Sequence, residues 1–336
     1  MSQLPEAFAV DTVFAGRYRV RGCLGRGAMG AVLAADELQT GRRVAIKCLL
    51  PGHCGDPMLV ARFRREARAT VRLRSEHVAR VLDAGELTTA PGALPLPFIV
   101  MEHLEGEDLR AIFRRSGRFP AEQVADLLIQ TCAGLAEAHA LGIVHRDLKP
   151  ANLFLSRAVD GRTVLKILDF GVAHFDSPST SGDEQDMTNA GVAIGSYSYM
   201  APEQLLDAGS VDARADIWSL GVVLYHLATG ERPFGGETLR EMALQIILGE
   251  YRPLEELGVS LPPGLVDVIR RCLRKERDQR FGSVVELARA LSPFTYERAR
   301  SPVEAQMFQR TARLPQSLGR ALLGGTLPME NADPSE

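Results

Sequence analysis

The stretch IVHRDLKPANLF, residues 143–154, constrains this chain more than any other. His145, Arg146, Asp147, Lys149 and Asn152 fall within eight positions, with apolar residues on both sides. Charged groups between two buried runs belong on a loop, because an unpaired charge is costly to bury. Such a loop is either a solvated turn or a place where a carboxylate, a cation and an amide converge to do chemistry. The rest of the chain decides between the two.

At 336 residues the chain is long for one compact unit and comfortable for two lobes. Its 39 basic and 42 acidic residues give a net charge of −3, which lacks the basic excess of a nucleic-acid binder. The local basic run ARFRREARATVRLR, 61–74, reads as helix faces. Five cysteines, an odd number with no CxxC pair, argue against a disulfide framework or a thiolate zinc site and for a reducing cytoplasm. The N-terminus has no basic segment followed by an apolar core, so no signal peptide is expected. The apolar stretch IWSLGVVLYHLATG, 217–230, is shorter than the roughly 18–20 residues of a membrane span.

Residues 17–35 read as strand, glycine turn, strand, and 42–49 as a further strand. A helix is expected from Asp56 to about Leu73, with Leu59, Phe63 and Ala67 on one side. Strands follow at 78–86 and 97–104. Beyond Gly106 helical periods dominate: 121–142, closing at a glycine, then 217–230, 236–249, 263–274 and 283–291. The chain thus reads as α+β with a boundary near 103–106. Residues 1–16 form an N-terminal extension, 17–103 a sheet-rich part with one helix, and 104–298 a mainly helical part. Residues 299–336 are a tail with a short helix at 302–313 and disorder from 324.

LGRGAMGAV, 24–32, is a G-x-G-x-x-G-x-V run with Gly25, Gly27 and Gly30. Alone it is a weak signal. A dinucleotide-binding turn leads from strand to helix, whereas this one leads into a second strand and then VAIK, 44–47. A strand lysine such as Lys47 can hold nucleotide phosphates, and Glu66 in RFRREA can position it. Glu76, past the helix end, is the weaker partner. HRDLKPAN follows at 145–152, DFG at 169–171 and APE at 201–203. In this order and spacing the series resembles the eukaryotic-like protein kinases, in particular their bacterial Hanks-type serine/threonine branch, over roughly residues 17–295.

The resemblance implies a bilobal protein kinase fold, with an antiparallel sheet and one helix in the N-lobe and a mainly helical C-lobe. It implies ATP with Mg2+ (or Mn2+) as cofactor and Ser/Thr hydroxyls of proteins as acceptors. Asp147 would take the acceptor's proton and Lys149 would reach the γ-phosphate. Asn152 and Asp169 would hold the metal, which prefers hard oxygen ligands. His145 and Phe170 would pack. In VMEHLEG, 100–106, Met101 would be the gatekeeper, and the backbone of Glu102 and Leu104 would bind the adenine edge. Asp108 would reach the ribose. Leu24 and the glycine loop would cover the nucleotide, with Val32 and Ala45 as roof and Leu153 as floor. Glu203 would pair with Arg280, and Asp216 would hold the backbone of the 145–147 loop.

Between DFG and APE lie Ser177, Ser179, Thr180, Ser181 and Thr188 in a polar stretch without regular period. A phosphate there brings roughly −1.5 to −2 charge, and Arg146 is its expected receiver. Thr188, eight residues before Ser196, matches the family's loop phosphosite and is the expected site of autophosphorylation, in trans by a second copy. Ser196 would hydrogen-bond Asp147 and Lys149. Glu105, Glu107 and Asp108 suggest a preference for basic residues upstream of the acceptor. Two rival readings are a pseudokinase scaffold and a small-molecule phosphotransferase. The presence of Lys47, Asp147, Asn152 and Asp169 disfavours the first, and the APE and SYSY segments disfavour the second.

Overall fold

Alternating burial from Tyr18 onward builds the first third of the chain into an antiparallel sheet. Its strands are β1 (Val13–Phe14), β2 (Tyr18–Arg26), β3 (Gly30–Glu37), β4 (Arg43–Leu49), β5 (Val81–Leu87) and β6 (Leu96–Glu102), in the order β1-β2-β3-β4-β6-β5. This architecture comes from a computed structural model that describes residues 8–296, apart from residues 28, 89–91, 158–160, 171–194 and 196. One face of the sheet buries Phe14, Leu33, Ile46 and Val100. Leu49 and Ile99 meet Phe63 and Ala67 of α1 (Pro57–Thr70).

Helix α1 starts where its sequence says it should. The Asp56 carboxylate accepts from Met58 N at 2.8 Å and Leu59 N at 3.2 Å, and Pro57 stands in the first turn where no N–H is needed. The segment before residue 17, read from the sequence as an extension, is built into the lobe. Phe8 and Phe14 are buried in the same core, and Phe14 meets Phe98 edge-on at 5.1 Å. Only two residues of that segment pair as strand, which is too short a run to show a period.

The second lobe carries a three-stranded sheet, β7 (Gly106–Asp108), β8 (Leu153–Arg157) and β9 (Thr163–Ile167), in that spatial order. Its helices are α2 (Leu109–Ser116), α3 (Ala121–Ala140), α4 (Pro202–Leu206), α5 (Arg214–Thr229), α6 (Leu239–Ile247), α7 (Pro263–Cys272) and α8 (Val284–Leu291). Helix α5 is buried on nearly every side, so it reads in sequence as an unpatterned apolar run. It stops at Gly230, whose φ of 89° is the left-handed cap that glycine takes without strain. Trp218 of α5 stacks on Phe234 with centroids 5.5 Å apart.

One stretch of the first lobe is bound to the second well before the chain crosses at Glu102. Arg74 N donates to both Glu137 oxygens of α3 at 3.0 Å, and Ser75 N donates to one of them at 2.6 Å. Ile167 N donates to His77 O at 2.9 Å and Ala79 N to Ile167 O at 3.0 Å. Leu73 and Val78 are buried in the core of the second lobe. The strand expected from residue 78 therefore begins later, at Val81, because Val78 forms a parallel bridge with Ile167 instead.

Candidate active site

Strand β4 carries Lys47 opposite Val32 of β3, and the buried face of α1 carries Glu66 between Phe63 and Ala67. The Lys47 ammonium lies 2.7 Å from Glu66 Oε1 and 2.9 Å from Asp169 Oδ1. Burial works against the charge on Lys47, but Asp169 and Glu66 outweigh it and hold its pKa above the ordinary lysine value. For Asp169 burial likewise opposes ionisation, and Lys47 prevails and keeps the carboxyl below the usual range. Burial dominates at Glu66 and raises its pKa against the pull of Lys47. Glu76 sits elsewhere, 3.9 Å from His77 Nε2.

The loop before β8 brings the second group together. Lys149 Nζ donates to the two Asp147 carboxylate oxygens at 3.0 and 2.9 Å. Asn152 donates through Nδ2 to Asp147 O at 2.7 Å and Asp147 Oδ2 at 3.0 Å, so Oδ1 is the atom it can offer a cation. Among the described residues no cluster of three or more His, Cys, Asp or Glu could cage a metal. Asn152 and Asp169 fit magnesium, which is commonly bound through one or two protein oxygens plus water and substrate phosphates.

Asp216 of α5, wholly buried, holds this loop from beneath. Its oxygens accept from His145 N at 2.9 Å, Arg146 N at 2.9 Å and His139 Nε2 at 2.7 Å. Burial pushes the Asp216 carboxyl up, yet the His139 hydrogen bond and the neighbouring histidines more than offset it, and the net shift is downward. Arg146 has φ 66° and Asp169 φ 45°, left-handed values that cost a non-glycine residue about 1 kcal/mol or more. The Arg146 carbonyl accepts from Gln204 Nε2 at 2.8 Å, a second tether on the strained residue.

His145 packs, as the resemblance implied. It is fully buried, its ring centroid lies 4.8 Å from that of Phe170, and its Nε2 meets Leu168 O at 2.9 Å. Asp147 N donates to His145 Nδ1 at 3.2 Å, which assigns the ring proton to Nε2. Burial lowers the pKa of this ring, in keeping with a neutral side chain. Glu203 and Arg280 also meet as expected: Arg280 donates to the two Glu203 oxygens at 2.6 and 2.8 Å, and to the carbonyls of Arg274, Lys275 and Arg214.

Both groups face one cavity of about 460 Å³ between the lobes. Gly25, Gly27, Gly30 and Val32 line it from the β2–β3 hairpin, Lys47 and Glu66 from behind, and Asp147, Lys149, Asn152 and Asp169 from the second lobe. Gly30 is required by space: a Cβ there would stand 2.7 Å from Cys48 O. Of the residues expected around an adenine, Val32 lines this cavity, whereas Leu24, Ala45, Met101, Glu102, Leu104 and Leu153 do not. Leu24 is exposed, and Ala45 pairs with Met101 across β4 and β6. Leu104 follows the end of β6, and Leu153 is buried at the start of β8.

Glu102 commits its backbone N–H to Arg80 O at 2.9 Å and its carboxylate to Lys166 Nζ at 2.7 Å. Asp108, expected at the ribose, caps α2 by accepting from Ala111 N at 2.8 Å. Glu107 pairs with Arg115 at 2.6 Å. Those two carboxylates, offered by the sequence as readers of basic residues, are therefore largely engaged within the chain. Thr188, Ser196, Ser177, Ser179, Thr180, Ser181 and the tail 299–336 lie outside the described residues. His139 and Gln204 were missed in the sequence. A histidine near a helix end and a glutamine after a proline carry no signal of the backbone groups they hold.

The protein kinase domain family matches residues 18–291. The serine/threonine-protein kinase PknB of Mycobacterium leprae is 36% identical over 271 residues, 81% of this chain and 42% of that one. The serine/threonine-protein kinase Pkn1 of Myxococcus xanthus is 38% identical over 288 residues, 85% of this chain and 39% of that one. The chain thus spans less than half the length of these curated relatives. Among solved structures, the kinase domain of Mycobacterium tuberculosis PknI matches with a TM-score of 0.60 at 28% identity, covering 85% of this chain and 99% of that one. A double mutant of the same domain gives a TM-score of 0.64 at 27% identity, covering 88% and 99%.

Proposed function

The chain belongs to the protein kinase family, and we propose that it is an ATP-dependent serine/threonine protein kinase that also phosphorylates its own activation segment. The observation that carries this reading is the juxtaposition of two groups across one cavity: Lys47, Glu66 and Asp169 face Asp147, Lys149 and Asn152. Such an arrangement suits phosphoryl transfer, which asks a protein for alignment and positive charge rather than covalent chemistry.

Magnesium–ATP, when bound, supplies the phosphoryl group. Lys47, held by Glu66 at 2.7 Å, presents its ammonium to the nucleotide phosphates. Asn152 Oδ1 and the Asp169 carboxylate are the oxygens that would hold the metal. Asp147 accepts a hydrogen bond from the acceptor hydroxyl, orients it and receives its proton. Lys149, 2.9 Å from Asp147, puts positive charge where the transferred group passes. Arg146 sits next to this carboxylate and is the natural receiver of a phosphate on Thr188. The adenine is assigned to the β6 end, against Met101, the Glu102 carbonyl and Leu104, with Leu24, Val32, Ala45 and Leu153 around it. Five free thiols support a reducing, cytoplasmic location. No helix among the described residues is long and apolar enough to cross a membrane.

Radiolabelled ATP with a protein acceptor tests the reading. Wild type is expected to label Ser and Thr of the acceptor and Thr188 of itself, and Asp147→Asn to lose labelling by at least about 10²-fold. Equal labelling by the variant would remove Asp147 from the reaction. An active sample with no phosphate on Thr188 would remove that residue from the self-phosphorylation.

A further inference from the structure

Lys149 lines a second cavity besides the one described above, about 260 Å³ in volume. Arg110 and Arg114 reach it from one face of α2, four residues apart. Arg232, just after α5, closes the other side with Tyr199 and His226. No acidic side chain lines this groove among the described residues.

Among the described residues, the chain's own carboxylates leave the charge of the arginines largely in place. Glu107 is matched by Arg115, which does not line the groove. Asp108 stands 3.8 Å from Arg110, beyond hydrogen-bond reach, and spends an oxygen on the α2 cap. The Tyr199 hydroxyl and His226 Nδ1 satisfy each other at 2.7 Å. Burial, then Arg232, lowers the His226 pKa to about 4, so near neutral pH the ring is uncharged and the groove's charge is that of its arginines, Lys149 being paired with Asp147.

Lys149 also binds Asp147, so a polypeptide whose hydroxyl reaches Asp147 lies beside this groove. Each residue of extended chain advances about 3.3 Å, which brings residues a few positions from the acceptor alongside the arginines. We propose that the groove of Arg110, Arg114 and Arg232 binds acidic side chains of the polypeptide substrate close to the acceptor hydroxyl, giving the enzyme a preference for acidic sequences. The proposal rests on the kinase reading and names its substrate class. It reverses the preference for basic residues that Glu105, Glu107 and Asp108 suggested.

The chain supplies one such sequence itself. Thr188 ends the run Asp183-Glu184-Gln185-Asp186-Met187-Thr188, with three carboxylates in the five preceding positions. A second copy presenting this run is the occupant the groove's charge fits.

The test uses the full chain, magnesium–ATP and three peptides: residues 181–192, the same peptide with its three carboxylates made amides, and the same with three lysines. Wild type is expected to favour the acidic peptide over the amide one by about five- to tenfold in kcat/KM, the scale of a few exposed charge pairs. The lysine peptide should rank last. Arg110→Glu/Arg114→Glu should reverse the order, while Arg115→Glu on the same helix should leave it unchanged. Equal rates on all three peptides would overturn the groove and leave the kinase reading standing. Transfer to no peptide and no protein would overturn the kinase reading. In that case fluorescence anisotropy of the labelled peptides without nucleotide still decides the groove, which falls if the acidic peptide binds no better than the lysine one.

Discussion

Replacing Asp216 with asparagine puts the support of the reactive loop to a quantitative test. The aspartate takes three hydrogen bonds on two oxygens: His139 and His145 N on Oδ2, Arg146 N on Oδ1. An asparagine has one acceptor oxygen, so its NH2 must face either Arg146 N–H or the other two donors. The cheaper orientation orphans one buried N–H, at about 1–3 kcal/mol, and weakens the two remaining bonds by removing their charge. A loss of about 2–4 kcal/mol follows, a large part of the roughly 5–15 kcal/mol that holds a domain folded. The strained Arg146 then keeps one of its two tethers, Gln204. Relaxation of that residue shifts Asp147, its neighbour, and a displacement of about 1 Å is worth up to about 10²-fold in rate.

The expected result is a kcat lowered by about 10- to 100-fold with KM for ATP little changed, because Lys47, Glu66 and Asp169 do not touch Asp216. Urea unfolding followed by fluorescence reads stability directly. Trp218, the single tryptophan, is fully buried two residues from the substitution. An unfolding free energy within about 0.5 kcal/mol of wild type, or a rate loss carried entirely by KM for ATP, would refute the argument.

Arg280→Ala leaves Glu203 and three backbone carbonyls without their donor and should cost at least about 3–5 kcal/mol; the urea midpoint measures it, and a loss under about 1 kcal/mol counts against the buried pair. Gly221→Ala would set a Cβ 2.4 Å from Cys272 Cβ, forcing α5 and α7 apart at about 1–3 kcal/mol, read as a lower melting temperature. His226 titrates at about 4 in the fold against 6.5 as an ordinary histidine, so the unfolded chain binds more protons between those values. Its contribution is intact above pH 6.5 and is lost as the pH falls towards 4, and His226→Gln should flatten the unfolding profile in that window relative to wild type. Lys47→Met sets two carboxylates facing each other without a cation and should abolish the rise in melting temperature produced by magnesium–ATP; an undiminished rise would place the phosphates elsewhere.

What could be read from the sequence divides along a physical line. Lys47, Glu66, Asp147, Asn152 and Asp169 were legible as a set because the motif series that carries them stands in one order along the chain, and the structure brings all five to one cavity. Helix α1 was legible because Leu59, Phe63 and Ala67 recur on one side, and Phe63 and Ala67 are on its buried face. The small β7–β8–β9 sheet, α2 and α4 were not, since three to eight residues hold too little of a period to register. Asp108 shows a different limit. A carboxylate at the head of a helix can cap it, meet a ligand or do both, and the 2.8 Å bond from Ala111 N adds the capping that the sequence did not suggest. Asp216 interrupts the apolar run of α5 in sequence, yet it is as buried as its neighbours because three donors converge on it.

The attachment of residues 73–79 to the second lobe decides how the cleft can open. With Arg74, Ser75, His77 and Ala79 bonded to the far lobe, α1 is a lever clamped at its C-terminal end. Swinging the sheet away turns this lever about the clamp, so displacement grows along it towards Met58. Glu66 lies eight residues from Arg74, between Phe63 and Ala67, which meet Leu49 and Ile99 of the sheet, so the helix that carries it is held by both lobes at once. The same clamp means that cutting the chain at the crossing near residue 103 would not separate two units. It would carry Leu73 and Val78 out of a core they help to fill, and leave a hole in the piece that remained.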